Sequence, residues 1–258
     1  MEEFIMGYPN DLLATRSIIK HGRYALIPPQ GRVNNVIPNL EKCRTSVLGS
    51  PELGTKFAFY TVEIEPNGGT VQPFQAEGIE TFVFCRSGKG TIKVEDKEYN
   101  VEAGGYVFAP ASQAVSLKNN SQEQWSVLLY KQRYNKLEGY EAKVVTGNLY
   151  DMEDQPYDGM DNVRIKDLLP TDLGFDVNFH TLEFYPGGCH PFVETHLQEH
   201  GLYFLGGEGV YLIDDKWVPV KEEDFIWFGP YVPQAFYCSG RKNAIYIYTK
   251  DCNRDIKL

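Results

Sequence analysis

Short alternating runs of apolar and polar residues dominate the chain. TFVFCRSGKGTIKVEDKEYNV (81–101) sets the two classes in turn and is broken by Gly88, Gly90 and the Glu-Asp-Lys step, where hairpins reverse. Successive side chains of a strand point to opposite faces, so such a run buries one face of a sheet and wets the other. GLYFLGGEGVYLIDDKWVPV (201–220) reads the same way, and a mostly β protein is expected.

The two runs are copies. Residues 80–110 and 199–229 align at a constant offset of 119: Glu80 with Glu199, Gly88 with Gly207, Gly90 with Gly209, Asp96-Lys97 with Asp215-Lys216, Val101 with Val220. Upstream, EIEPNGG (63–69) matches EFYPGG (183–188) with one residue of slippage. Propeller and solenoid units run about 20–50 residues; a period this long suits a complete small β-barrel. The 258 residues leave one large domain or two small ones open, at about 150 residues per domain, and the repeat decides for two. The expected division is an N-terminal arm (1–45), a first barrel (46–135), an acidic, turn-rich linker carrying the crossover (136–175) and a second barrel (176–258). The arm adds strands or clasps a neighbouring subunit, and KDLLP (166–170) forms a helical turn before Pro170.

Charge and cysteine usage narrow the partners. With 25 Lys and Arg against 35 Asp and Glu the formal charge is -10, which disfavours nucleic acid and anionic membrane surfaces. MEEFIMGYPNDLL, at the N-terminus, has acidic residues where a signal peptide needs basic ones, and no apolar run approaches the roughly 18 residues of a spanning helix. A soluble cytoplasmic protein is expected. Cys43, Cys85, Cys189, Cys238 and Cys252 are odd in number, scattered and without a CxxC pair, so they read as reduced thiols acting as small buried hydrophobes. An aromatic content of 14% gives more apolar surface than one subunit covers, and a homo-oligomer is expected.

Of the five histidines, three fall within HPFVETHLQEH (190–200). In a strand, positions of equal parity share a face, so Glu194, His196 and His200 converge inside a barrel. A helix with His196 and His200 at i, i+4 is the alternative, but HExxH is absent and Gly201 and Gly206-Gly207 interrupt it. Three polar groups aimed into a barrel without a common partner are costly, which favours a metal. His21 and His180 read as surface or hydrogen-bonded residues, with His190 held as a support behind the ligands. DFIWFGPYVPQAFYC (224–238) supplies an opposing strand with Gln234, which either ligates weakly through its amide oxygen or hydrogen-bonds a substrate.

These residues resemble the cupin family, whose two motifs place three His and one Glu around a metal in a jelly-roll barrel. Gly188, Glu194, His196, His200 and Gly207 reproduce the first motif's spacing with the ligand types permuted, and Gln234 stands in the last ligand slot. In the first half the same frame holds Gly69, Gln75, Glu77, Thr81, Gly88, Gly104, Pro110 and Val115. No His survives there, so that barrel is expected to be metal-free and structural, with Glu77 and Glu80 as ordinary polar residues.

The tandem arrangement, EGIETF (77–82), ETHLQEHG (194–201), VPQ (232–234) and YTKDCNRD (248–255) together are similar to the (S)-ureidoglycine aminohydrolases of allantoin degradation, over nearly the whole chain. The resemblance implies an all-β bicupin binding Mn2+ through Glu194, His196, His200 and Gln234. It further implies that Tyr246 and Lys250 meet the small ureido substrate with Tyr211 and Gln234, and that Glu194, Lys250 and Tyr246 act in catalysis. It implies hydrolysis of (S)-ureidoglycine to (S)-ureidoglycolate and ammonia. Lys250 taken alone also reads as a solvated charge. The rival readings are a non-haem Fe(II) cupin dioxygenase, from the two-His-one-carboxylate set, and a metal-free storage or sugar-binding bicupin.

Overall fold

The computed structural model describes residues 16–251 and 253–256; Cys252 and the acidic N-terminal stretch lie outside them. The chain folds into two packed β-barrels. A nine-stranded sheet forms the first, in the order Val145–Asn148, Gly105–Ala109, Ile79–Ser87, Trp125–Arg133, Phe57–Thr70, Val115–Lys118, Lys89–Val94 and Lys97–Glu102, with Leu40–Gly49 also paired to Phe57–Thr70. The second has an eight-stranded sheet ordered Ile18–Lys20, Tyr24–Ile27, Phe225–Phe228, His200–Gly206, Ala244–Asp251, Val177–Phe184, Val163–Asp167 and Gln155–Pro156. A three-stranded sheet, Lys216–Lys221, Glu208–Ile213 and Gln234–Tyr237, completes it.

The copies match in backbone detail. The hairpins Lys89–Val94/Lys97–Glu102 and Glu208–Ile213/Lys216–Lys221 turn through two residues each, and the first of these, Glu95 and Asp214, has φ of 51° and 60°, the left-handed backbone that tight hairpins require. Gly88 and Gly207 have φ of 75° and 77°, and a Cβ on either would lie 2.3 Å from a carbonyl oxygen, that of Gln124 or Asn243. Only glycine fits there.

Segments outside the repeat join both barrels. Tyr24–Ile27 pairs with Phe225–Phe228, so the arm adds a hairpin to the second barrel. Between the barrels, Val145–Asn148 pairs with Gly105–Ala109, whereas Gln155–Pro156 and Val163–Asp167 extend the second barrel's sheet. The helical turn expected at KDLLP does not form. Lys166 and Asp167 end a strand, the Leu168 N–H bonds the Phe179 carbonyl at 2.8 Å, and Leu168 and Leu169 are buried; sheet pairing and burial outweigh the local preference.

An aromatic seam joins the barrels. Phe82 stacks on Phe179 with centroids 3.7 Å apart, Phe59 meets Phe225 at 5.2 Å, and Trp227 and Tyr203 belong to the same cluster. Each buried aromatic side chain contributes about 1.5–3 kcal/mol. Polar groups cross the seam as well: Arg86 donates to the Tyr203 hydroxyl at 2.8 Å and to Glu223 at 2.7 Å, and also pairs with Glu63. Glu80, expected as an ordinary polar residue, is buried there, accepting from Gln132 Nε2 at 2.7 Å. Burial, with Asp176 beside it, pushes its carboxyl well above the usual carboxylate range.

The barrel interiors differ sharply in chemistry. The first is aliphatic apart from Trp125 and Cys85, whereas the second places Tyr211, Tyr246, Tyr248 and Gln234 where the first has Ile92, Val127, Leu129 and Val115, at the offset of 119. The described cysteines are free thiols; Cys85 and Cys238 are buried, but Cys189 is exposed, so its expected burial is corrected. No helix among the described residues is long and apolar enough to cross a membrane.

Candidate active site

The site grows from the strand edges of the second barrel. Glu194 and Gln234 form an isolated β-bridge, Glu194 N to Gln234 O at 2.9 Å and Gln234 N to Glu194 O at 3.0 Å, which sets their side chains next to each other. His200 opens the strand His200–Gly206. His196 lies between them in a loop rather than on the continuous strand that the parity reading required. That loop is pinned instead of pleated: the Tyr231 N–H donates to His196 O at 2.7 Å, and Glu199 N donates to Asp251 Oδ1 at 2.9 Å.

The four side chains converge. His196 Nε2 lies 2.9 Å from His200 Nε2, 3.0 Å from Gln234 Nε2 and 3.8 Å from Glu194 Oε2. His200 Nδ1 faces the Thr249 carbonyl at 3.0 Å, which places its proton on Nδ1 and a lone pair on Nε2. Burial, then His196 and Lys250, hold the His200 pKa well below its ordinary value; burial and Lys250 lower that of His196. Both rings are therefore neutral, the form that binds a metal.

Among the described residues, no three His, Cys, Asp or Glu side chains already surround a common point; Glu194 Oε1 accepts from the Tyr157 hydroxyl at 3.0 Å, and its Oε2 lies 3.8 Å from His196 Nε2. The donor set nevertheless fits a cation. Two imidazole Nε2 atoms face each other at hydrogen-bond distance, so without a cation one must carry a proton. That tautomer leaves His196 Nδ1 an acceptor, and this atom is buried with no partner of normal geometry, although the nearby Gln198 backbone raises the ring's pKa. Rotation of the Gln234 amide turns its oxygen to the same point. Two imidazoles, a carboxylate and an amide oxygen suit a borderline-to-hard divalent ion.

Behind these groups lies a cavity of 30 Å³, about the volume of one water, lined by Glu194, His200, Tyr211, Gln234, Tyr246 and Lys250 and also by Tyr157, His190 and Tyr248. Sequence reasoning missed Tyr157 and Tyr248. Tyr248 shares the parity of Tyr246 and was findable, whereas Tyr157 arrives from the segment between the barrels and carries no motif. His190 lies beside Tyr246 rather than directly behind a ligand. Its Nδ1 accepts from Phe236 N–H at 3.0 Å, so Nε2–H faces the Tyr246 hydroxyl at 3.2 Å, which leaves the Tyr246 proton available to donate. Burial raises the pKa of Tyr211 and Tyr246 far above the ordinary phenol value, so both remain protonated. His180 bonds Asp167 at 2.5 Å, and His21 is exposed.

A cupin-domain family model matches residues 60–130, the barrel without the histidines. The chain is 47% identical over 255 residues to the (S)-ureidoglycine aminohydrolase of Escherichia coli (strain K12), covering 98% of each. It is 30% identical to the probable (S)-ureidoglycine aminohydrolase of Oryza sativa subsp. japonica, covering 93% of this chain and 76% of that one. Among solved structures, the E. coli protein Ylba superposes with a TM-score of 0.87 at 44% identity, covering 98% of this chain and all of the other.

Proposed function

Because the chain belongs to the (S)-ureidoglycine aminohydrolase family of bicupins, we propose that it hydrolyses (S)-ureidoglycine to (S)-ureidoglycolate and ammonia in the second barrel. The proposed cofactor is Mn2+, held by Glu194, His196, His200 and Gln234. The observation that carries the reading is the meeting of these four side chains at the mouth of a cavity walled by tyrosine hydroxyls and Lys250. Bound there, the cation would anchor substrate oxygens or lower the pKa of a water.

The chain's own groups have separable tasks. Lys250 supplies a cationic contact for the substrate carboxylate in a protein whose formal charge of -10 gives no general attraction. Tyr246, its oxygen occupied by His190 Nε2–H, donates to the Tyr211 hydroxyl, and the pair offers the remaining phenol proton, that of Tyr211, to the substrate. Glu194 is the proton carrier at the reacting carbon, taking a proton from water or giving one to the departing nitrogen. Leu182 and Leu202 line the cavity and limit water entry. The same reading assigns the enzyme to the cytoplasm as a homo-oligomer.

Ammonia release from freshly generated ureidoglycine, with and without Mn2+, tests this alongside oxygen uptake and elemental analysis of the purified protein. Glu194→Ala and His196→Ala lose metal and activity together, whereas Lys250→Ala keeps metal and loses turnover. An active, metal-replete Glu194→Ala protein refutes the assignment. Oxygen consumption in place of ammonia release favours the dioxygenase, and binding without turnover favours a ligand-binding bicupin.

A further inference from the structure

The first barrel has an open cavity at its own mouth. It measures 270 Å³ and is lined in part by Phe74, Gln75, Thr81, Gln113 and Lys131, near the lower end of the roughly 300–1,000 Å³ typical of small-molecule sites. Its position within the barrel overlaps that of the active site in the second barrel. Leu129 pairs with Val83 as Tyr248 pairs with Leu202, and at the offset of 119 Gln75 stands for Glu194, Thr81 for His200 and Lys131 for Lys250. The metal ligands are gone, but the lysine is kept.

Two groups at this mouth lack a hydrogen-bonding or ionic partner among the described residues, Lys131 having only the face of the Phe74 ring. Lys131 is half-buried, its ammonium lies 3.2 Å from the centroid of the Phe74 ring, and burial alone pushes its pKa down to about 8, with no carboxylate among the described residues to offset the cost. A desolvated cation without a counter-charge is unfavourable. Gln113 Oε1 is buried and has no hydrogen-bond donor. Glu77, the nearby acid, is exposed to solvent. An ammonium calls for an anion and an amide oxygen for an N–H donor, and Thr81, buried and in register with Lys131, adds a hydroxyl.

We propose that the mouth of the first barrel is a second, metal-independent binding site for a small carboxylate that also carries an N–H donor, with Lys131 holding the carboxylate and Gln113 the N–H. The site is independent of the reaction assigned to the second barrel.

Calorimetric titration of metal-free full-length protein with ureidoacetate, which carries both groups and is not a substrate for amine release, tests this. In a Lys250→Met background one equivalent binds. Adding Lys131→Met weakens that binding about ten-fold or more, as expected for loss of a charged hydrogen bond, whereas Lys131→Arg retains it. Acetate, which lacks the N–H, binds more weakly to the Lys250→Met protein, and Gln113→Leu abolishes this preference for ureidoacetate. Near-ultraviolet circular dichroism reports folding. If Lys131→Met does not fold, the Gln113→Leu comparison decides alone. Undiminished binding in the folded double variant, no binding by Lys250→Met protein at millimolar ureidoacetate, or an unchanged preference in Gln113→Leu overturns the proposal. The ammonia assay is a separate readout, so failure of this site and failure of the assigned reaction are distinguishable.

Discussion

Tyr157→Phe isolates one oxygen on the candidate ligand Glu194. The Tyr157 hydroxyl donates to Glu194 Oε1 at 3.0 Å, and its ring lies 6.3 Å from that of His190. Burial and the neighbouring Glu194 push the phenol well above its ordinary value, so it stays a donor throughout the working pH range. Phenylalanine keeps the ring and removes only the hydrogen bond. A hydrogen bond to a charged acceptor contributes about 1.5–3 kcal/mol; the half-buried position of Tyr157 favours the lower end, which at about 1.4 kcal/mol per decade is roughly ten-fold. Groups that orient metal ligands commonly change affinity by about 10–100-fold. Free Mn2+ followed by electron paramagnetic resonance during titration should show affinity weakened about ten-fold, with ammonia release recovering at higher Mn2+ and little change in melting temperature. Wild-type Mn2+ affinity in Tyr157→Phe would falsify the view that this hydroxyl sets the Glu194 carboxylate.

Glu199 accepts from Lys56 N and Trp227 Nε1, each at 3.1 Å, and burial raises its pKa from 4.5 to about 7. A raised carboxyl contributes stability that is complete below 4.5 and lost as pH rises through 7, about 3 kcal/mol at 1.36 kcal/mol per pH unit; urea midpoints of chelator-treated protein should fall between pH 4.5 and 8 in wild type and much less in Glu199→Gln, and parallel pH profiles would count against this. Phe82→Ala removes the ring stacked on Phe179 across the seam and should cost about 3–5 kcal/mol, measured by chemical denaturation; a loss below about 1 kcal/mol would mean that the barrels are held together elsewhere.

The duplication was legible because both copies keep the same turn chemistry: Gly88 and Gly207 meet equivalent carbonyls, and Glu95 and Asp214 share one backbone conformation. The convergence of Glu194, His200 and Gln234 was legible because each begins or bridges a strand. His196 reaches the same point from a loop, so strand parity gave its place for the wrong reason; the hydrogen bond from Tyr231, 35 residues later, is what fixes it. Tyr157 was illegible, since no period or motif ties residues between two barrels to a pocket in one of them. The burial of Glu80 was illegible because its neighbours Gln132 and Asp176 are distant in sequence and the seam itself has no local pattern.

The first barrel is more than passive scaffold, because it touches the loop that carries the ligands. A Cβ on Gly201, next to His200, would lie 2.7 Å from the Phe57 ring, so the first barrel's strand presses directly on the strand that holds His200. The backbone of Lys56, one residue earlier, donates to the Glu199 carboxylate. His200 is thus fixed on one side by Thr249 of its own barrel and flanked by Glu199 and Gly201, which meet Lys56 and Phe57 of the other. An aliphatic interior suits this role: Ile92, Val127 and Leu129 fill the first barrel where the second leaves three tyrosines and a cavity. A core whose one indole N–H is met by the Cys85 sulfur at 3.2 Å packs without orphaned polar groups and gives the seam a rigid face. Duplication therefore separated two demands that conflict within one barrel, an aliphatic core for positioning and a core of polar side chains for chemistry.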